Sequence, residues 1–475
     1  MNVPSKTLLN LALCLSGTLF VAGCDTRASR SQKAFDQYQA ASAGGNLIEM
    51  RNALLALTAA NEDMPAYWVE LGKVQYQLRA YGPAYSAFTR ANELNRSDPD
   101  ILRFLTQIAL QSGELEIAQQ RASDLDLVAP GDPVVKITNG LIALRRQDYD
   151  GALKQAETML AATPDDPNAT ILKARALAGL GKPDAAITHL EEHLARQPGD
   201  VDSLRALFHL QRRAERWPVV IAIGQRVVTL APGDRRTALF TIEAALRTNR
   251  PDTARAVSLS LLKPGTPTSG IEEVLDLWSE QWKGAAPVAL AKEFAARASP
   301  ADRIAYARYL NRAAAPDAAL GLVSDQAGLA PGPATVDALA VYADSLFRLG
   351  RTAEARRRLE AILREDADNV DALGTMALVL LRVGDKSQAV NVARKLVAVD
   401  PVTVDNRFIL ARVLDESGDR DSARRALWDG FHDIPASERL YTALRAYLGN
   451  DSDAKQRLDD EYADQRDRKL MQDSQ

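Results

Sequence analysis

Cysteine is nearly absent from this chain of 475 residues: Cys14 and Cys24 are the only two. No disulfide framework can hold so long a chain with two thiols, and both lie at its N-terminal end. Histidine is scarce as well, with four residues, which leaves little imidazole for metal binding or general-base chemistry. Aromatic residues make up 6%, and nowhere does the sequence alternate with the period of a half-buried strand. The charge balance is mild, 58 basic against 62 acidic residues for a net of −4, which argues against a general binder of nucleic acid or anionic membranes. Only one long apolar run exists, Thr7 to Val21, and it is too short to span a bilayer with the usual flanks.

That run has a role at the N-terminus. Lys6 supplies a positive flank, and Val21-Ala22-Gly23-Cys24 follows as a small-residue cleavage site. The tetrapeptide resembles the lipobox of bacterial lipoproteins, which implies cleavage before Cys24 and lipidation of that residue. Cys14 is a poorer candidate, because Leu13 before it is not small and the apolar run would be truncated. Asp25 follows Cys24, and in some bacteria that position keeps a lipoprotein in the inner membrane. Losing residues 1–23 removes only Lys6 among the charged residues and leaves a net charge of −5. The mature chain would then hold no free thiol and be stabilised by packing alone.

What the rest of the chain has is a period. Pro130, Pro164, Pro198 and Pro232 follow one another at intervals of 34 residues. Within residues 133–166 an apolar-periodic stretch runs from Val134 to about Leu144, and polar Arg145 to Asp148 form a turn. A second stretch runs from Tyr149 to about Ala161, ended at Thr163-Pro164. Each half has helical i, i+3, i+4 spacing and is too short to be stable alone. A fixed period of helix, turn, helix predicts a solenoid, in which every unit buries its apolar faces against its neighbours.

Residues 65–98 carry the pattern most clearly, with Trp68, Leu71, Gly72, Tyr81, Ala84, Phe88 and Ala91. Counting 65 as position 1, these fall at positions 4, 7, 8, 17, 20, 24 and 27, and the unit resembles the tetratricopeptide repeat (TPR). Small residues at positions 8 and 20 let two helices approach closely, and position 15 demands a tight turn. The frame runs in register through 31–64, 65–98, 99–132, 133–166, 167–200 and 201–234. A seventh unit opens at 235 and breaks up in LLKPGTPTSG, residues 261–270, which marks a boundary or hinge. An irregular pair follows to 299, with Leu275, Trp278 and Trp282; then come 300–333, 336–369, 370–403 and 404–437.

The expected fold is all-α, a right-handed TPR-type superhelix of about twelve repeats. Its expected parts are a signal peptide (1–23), a lipid-tethered linker (24–30), an N-terminal array (31–264), an irregular pair and hinge (265–299), a C-terminal array (300–437), and a capping helix with a charged, solvated tail (438–475).

Motifs that mimic chemistry fall inside this frame. His189-Leu-Glu-Glu-His193 matches the inverzincin H-x-x-E-H, a zinc hydrolase pattern. Yet those two positions hold Gln155 and Met159 one period earlier, ordinary places on a second helix, with His193 packing and His189 near the edge. Gly179-Leu-Gly181-Lys182 imitates a phosphate loop but has Ala176 for the first glycine, Pro183 for Ser/Thr, and no strand before it. No G-x-S-x-G occurs. The chain is therefore read as no enzyme, with no metal and no cofactor.

The resemblance implies that first helices line a concave groove through positions near 2, 5, 9, 12 and 13. Here those hold Arg103, Arg145, Arg175, Arg205, Arg212, Arg213, Arg236, Arg247, Arg308, Arg312, Arg348, Arg382 and Arg412, with few acids between them. Guanidinium forks match carboxylates, so such a groove suits an anionic peptide or polysaccharide. Arginine also simply favours helices and their C-terminal ends. Lipidation with a long repeat array resembles the TPR lipoproteins of exopolysaccharide and exosortase-type export. The implied role is a scaffold for an envelope export complex, anchored by Cys24 and facing the periplasm, on the inner membrane by Asp25. An outer-membrane or pilus assembly lipoprotein and a hydrolase using His189 and His193 are the rival readings.

Overall fold

A computed structural model describes residues 27–263, 265–449 and 451–473. The signal segment, Cys24 and Asp25 lie outside the described residues, as does Pro264. Every regular element among the described residues is helical. The contacts separate two compact units between His189 and Leu190.

The first unit holds α1 (Arg27–Ala43), α2 (Leu47–Ala60), α3 (Pro65–Gln77), α4 (Tyr81–Leu94), α5 (Pro99–Gln111), α6 (Leu115–Val128), α7 (Pro133–Arg145), α8 (Tyr149–Ala162) and α9 (Pro167–Gly179). The division falls within α10 (Pro183–Arg196). The second unit continues with α11 (Val201–Arg213), α12 (Trp217–Leu230), α13 (Arg235–Arg247), α14 (Pro251–Leu261), α15 (Thr268–Gln281), α16 (Ala285–Ala295), α17 (Pro300–Arg312) and α18 (Pro316–Val323). After a short 3-10 turn at Ser324–Gln326 come α19 (Val336–Arg348), α20 (Thr352–Glu365), α21 (Val370–Arg382), α22 (Lys386–Val399), α23 (Val404–Glu416), α24 (Arg420–Asp433), α25 (Glu438–Tyr447) and α26 (Ser452–Asp473).

The helix boundaries repeat because their punctuation does. Pro99, Pro133 and Pro167 occupy the first turn, where no intrahelical partner for an N–H exists, and Asp98, Asp132 and Asp166 cap them. The Asp132 side chain, for instance, accepts from the Val134 amide at 2.8 Å. Each first helix ends in a turn whose position 15 is left-handed. Gly45, Gly113, Gly181, Gly350, Gly384 and Gly418 take it at no steric cost. The five frames without that glycine adopt the same conformation: Arg79, Gln147, Glu215, Asn249 and Ala314 all have φ between 53° and 61°. The topology dictates the turn, and the residue yields to it.

Consecutive helices then pack in pairs. Ala84, Ala118, Ala152, Ala254, Ala319, Ala355, Ala389 and Ala423, one period-position in eight frames, are all fully buried. At position 8, a Cβ on Gly72 would lie 2.8 Å from the Phe88 ring, so the contact of α3 with α4 needs glycine there. Phe88 stacks in turn on Phe104 of α5 at 4.6 Å between ring centres, which links one pair to the next.

Three features depart from the sequence reading. Helix α1 begins at Arg27, so the last four residues of the expected 24–30 tether are helical. Residues 261–270 are not where the compact units part: Trp278 of α15 is fully buried, donates to Ser258 Oγ of α14 at 3.1 Å and meets Tyr309 of α17 edge-on at 5.9 Å. Trp278 therefore joins α14 to α17 across the proline-rich break. The charged tail forms α26, whose described side chains are mostly exposed, but it packs more closely than a frayed end: it buries Leu458 and Gln465 and stacks Tyr462 on Tyr441 at 4.2 Å.

Candidate functional site

In the first unit, Arg103 of α5 is a brace. Its Nε and Nη2 donate to one oxygen of Asp132 at 2.8 and 2.6 Å, and Nη1 donates to Asp100. Arg145 and Arg175 sit at the exposed ends and middles of α7 and α9. Desolvation by the surrounding wall, and then the like charge of Arg145, lower the pKa of Arg175.

In the second unit the arginines of α11 and α13 surround an open cleft of about 620 Å³, with Arg205, His209, Asp234, Arg235 and Arg236 on its walls. Arg205 repeats the brace of Arg103: Nε donates to Asp234 at 2.6 Å and Nη1 to Asp202 at 2.6 Å. Arg235 donates to Glu273 at 2.6 Å and to the Gly270 carbonyl. Arg212 lies flat over Phe240, 3.5 Å from the ring centre, with the Arg236 guanidinium 6.0 Å from the same ring. Arg213 and Arg236 are exposed. Arg205 and Arg235 are engaged by Asp202, Asp234 and Glu273, and Arg236 adds a third, exposed guanidinium to the cleft wall. Burial would raise the pKa of Asp234, but hydrogen bonds from Arg205 and Thr237 outweigh it and hold the group below the ordinary carboxylate range.

The remaining arginines of the expected groove, Arg382 apart, meet carboxylates. First helices lie side by side, α13 on α15, α15 on α17, α17 on α19, α19 on α21 and α21 on α23. Arg247 of α13 pairs with Glu243 at 3.0 Å and with Glu438 of α25 at 2.8 Å. Arg308 of α17 holds Glu272 of α15 at 3.0 Å and Asp371 of α21 at 2.6 Å, and Arg312 holds Asp276 at 2.7 Å. Arg348 pairs with Asp344 at 2.9 Å and Arg412 with Glu416 at 2.7 Å. Burial pushes the Asp344 carboxyl up against the pull of Arg348. Arg382 lies over Phe347 at 4.1 Å and, with Arg412, lines a smaller cleft of about 190 Å³.

The sequence reading missed Arg235, His209 and Arg439. Arg439 lies at position 2 of the frame that opens at 438, so extending the same count would have found it.

The motifs that imitate chemistry have structural occupants. His193 is buried, and its Nε2 lies 2.9 Å from Oδ2 of Asp200, the residue that caps α11. Glu192 is exposed. Among the described residues no cluster of three or more His, Cys, Asp and Glu is placed to hold a metal. The phosphate-loop mimic is a helix end: a Cβ on Gly179 would strike the Tyr149 ring at 2.2 Å, and Gly181 is the left-handed turn at φ 72°.

These paired helices with a shared frame define an all-α repeat protein of the solenoid class. Two stretches of it, residues 137–201 and 346–405, match family profiles described as tetratricopeptide repeat. Solved structures similar to this chain include a tetratricopeptide repeat protein from Parabacteroides merdae, 17% identical over 52% of this chain and 98% of that one, with a TM-score of 0.43. A thermophilic TPR protein of Thermus thermophilus is 21% identical over 38% of this chain and all of its own length, with a TM-score of 0.35. The pilF protein of Pseudomonas aeruginosa is 16% identical over 46% and 98%, at 0.34. No curated protein matches the chain. Repeats of this kind point to a scaffold for protein–protein interaction.

Proposed function

We propose that the protein is a non-enzymatic scaffold of a bacterial cell envelope, tethered by lipid on Cys24 and facing the periplasm, that helps to assemble or localise an export system. The observation that carries the binding half of this reading is the arginine-lined cleft between α11 and α13, with exposed Arg236 on its wall and Arg212 and Arg213 beside it. An acidic segment of a partner protein, or an anionic polysaccharide, fits that chemistry because guanidinium groups bind carboxylates through paired hydrogen bonds. Arg205 is better left in place, since it holds the cap of α13.

Two measurements test the reading. Membrane fractionation follows the anchor: the full chain sediments with inner membranes, and Cys24→Ser releases it; sedimentation unaffected by that change contradicts the anchor, and outer-membrane sedimentation points instead to outer-membrane or pilus assembly. Affinity capture from envelope extract follows the cleft: Arg212→Glu, Arg213→Glu and Arg236→Glu together lose the partner while remaining folded, and an unchanged catch contradicts the cleft.

A further inference from the structure

The second unit closes on itself through charges. Arg466 of α26 donates to Glu215, in the turn between α11 and α12, at 2.7 Å across 251 residues of sequence. Arg247 of α13 reaches Glu438 of α25 at 2.8 Å across 191 residues. Arg439, also on α25, lies 3.8 Å from Glu280 of α15 and 2.6 Å from Asp405 of α23, its guanidinium over Phe408. The contacts to Glu215, Arg247 and Glu280 join the last helices of the unit to its beginning or middle, and Asp405 joins α25 to neighbouring α23. All are side-chain ion pairs between partly exposed groups.

Elsewhere the same helices are joined differently. Helix α26 is fixed to α25 by the Tyr441–Tyr462 stack, by Arg445 on Asp459 at 3.0 Å, and by buried Leu458. Gln465 accepts from the Ala436 amide at 2.8 Å, which ties α26 to the loop before α25. The C-terminal pair is thus joined internally, and to Phe431 of α24, by mixed apolar and polar contacts, whereas its attachment to α11–α15 is ionic. Apolar joints resist salt; exposed ion pairs are screened by it.

We infer that α25 and α26 form a charge-held clasp that closes the inner face of the second unit, and that releasing the clasp opens this face. When closed, Arg247 and Arg439 are neutralised across the clasp by Glu438, Glu280 and Asp405, so an anionic partner reaches them only by displacing those groups. The device stands independently of any partner at the α11–α13 cleft.

The test is a distance within the second unit of the full chain. Spin labels go on Val219→Cys of α12 and Ala463→Cys of α26, both exposed positions, with Cys14 and Cys24 replaced by serine. Raising salt from about 0.1 M to about 1 M shortens the Debye length from ~10 to ~3 Å. The clasp predicts that the label distance then lengthens by more than a helix diameter, ~10 Å, with unchanged helical circular dichroism. Arg247→Glu lengthens it at low salt, and adding Glu438→Arg restores the short distance. A distance indifferent to salt and to Arg247→Glu overturns the inference. So does lengthening accompanied by loss of helicity, because the pairs would then hold the fold itself.

Discussion

Arg103 and Asp132 are joined by two hydrogen bonds to a single carboxylate oxygen, at 2.8 and 2.6 Å, while the other oxygen of Asp132 caps α7. The arrangement returns at Arg205 and Asp234, which caps α13. One aspartate serves two neighbouring repeats, so removing it costs more than removing its arginine. Asp132→Ala loses the cap and leaves the Arg103 guanidinium with Asp100 alone, for about 1–2 kcal/mol. Arg103→Ala keeps the cap and costs ~0.5–1 kcal/mol. Urea unfolding of the two variants checks the order; equal losses would contradict the shared role.

The second brace also predicts a pH dependence. The folded pKa of Asp234 is depressed, so its ionised form stabilises the fold above the ordinary carboxylate value of ~3.9, and that contribution is lost as pH falls through the depressed folded value. The difference in Tm between the native chain and Asp234→Asn is therefore full at neutral pH and shrinks in acid below about pH 4. A difference that stays constant into acid contradicts the ionised brace.

Turn strain gives a stabilising prediction. Gln147 holds φ 61° where six other frames use glycine, and left-handed backbone costs an ordinary residue ~1 kcal/mol or more. Gln147→Gly gains up to about 1 kcal/mol, less what the freer unfolded chain takes back. Gly384→Ala, at φ 87°, loses ~1–2 kcal/mol. Thermal melts of both read the signs.

Two core substitutions test the packing. Gly72→Ala forces a methyl group against the fully buried Phe88 ring and costs ~1–3 kcal/mol by overpacking. Trp278→Ala empties the junction of α14, α15 and α17 and costs ~3–5 kcal/mol. A mild effect at Trp278 would mean that residues 261–270 part the structure after all.

The all-helical class and the repeat frame could be read from the sequence because each rests on local residues: alanine where helices touch, Asp-Pro where one starts, glycine where one turns. Position 15 was legible only where glycine stands; at Gln147 or Ala314 the conformation is imposed by packing on both sides. The arginine stripe was visible, its partners were not. Asp371 lies 63 residues from Arg308 and Glu438 lies 191 from Arg247, and no periodicity reports contacts that appear only when a solenoid returns on itself. Leu458 and Tyr462 stand one helical turn apart in the sequence, but the stack of Tyr462 on Tyr441 belongs to tertiary structure.

The central claim is that an interaction scaffold offers an arginine-lined cleft on α11 and α13. Titration of a fluorescent polyglutamate peptide into the full chain, read by anisotropy, tests it most directly. The account predicts saturable, salt-sensitive binding that Arg236→Glu weakens ~10-fold or more, corresponding to about 1.4 kcal/mol, with the fold intact. Binding of equal strength to native chain and variant, or none to either, would contradict it.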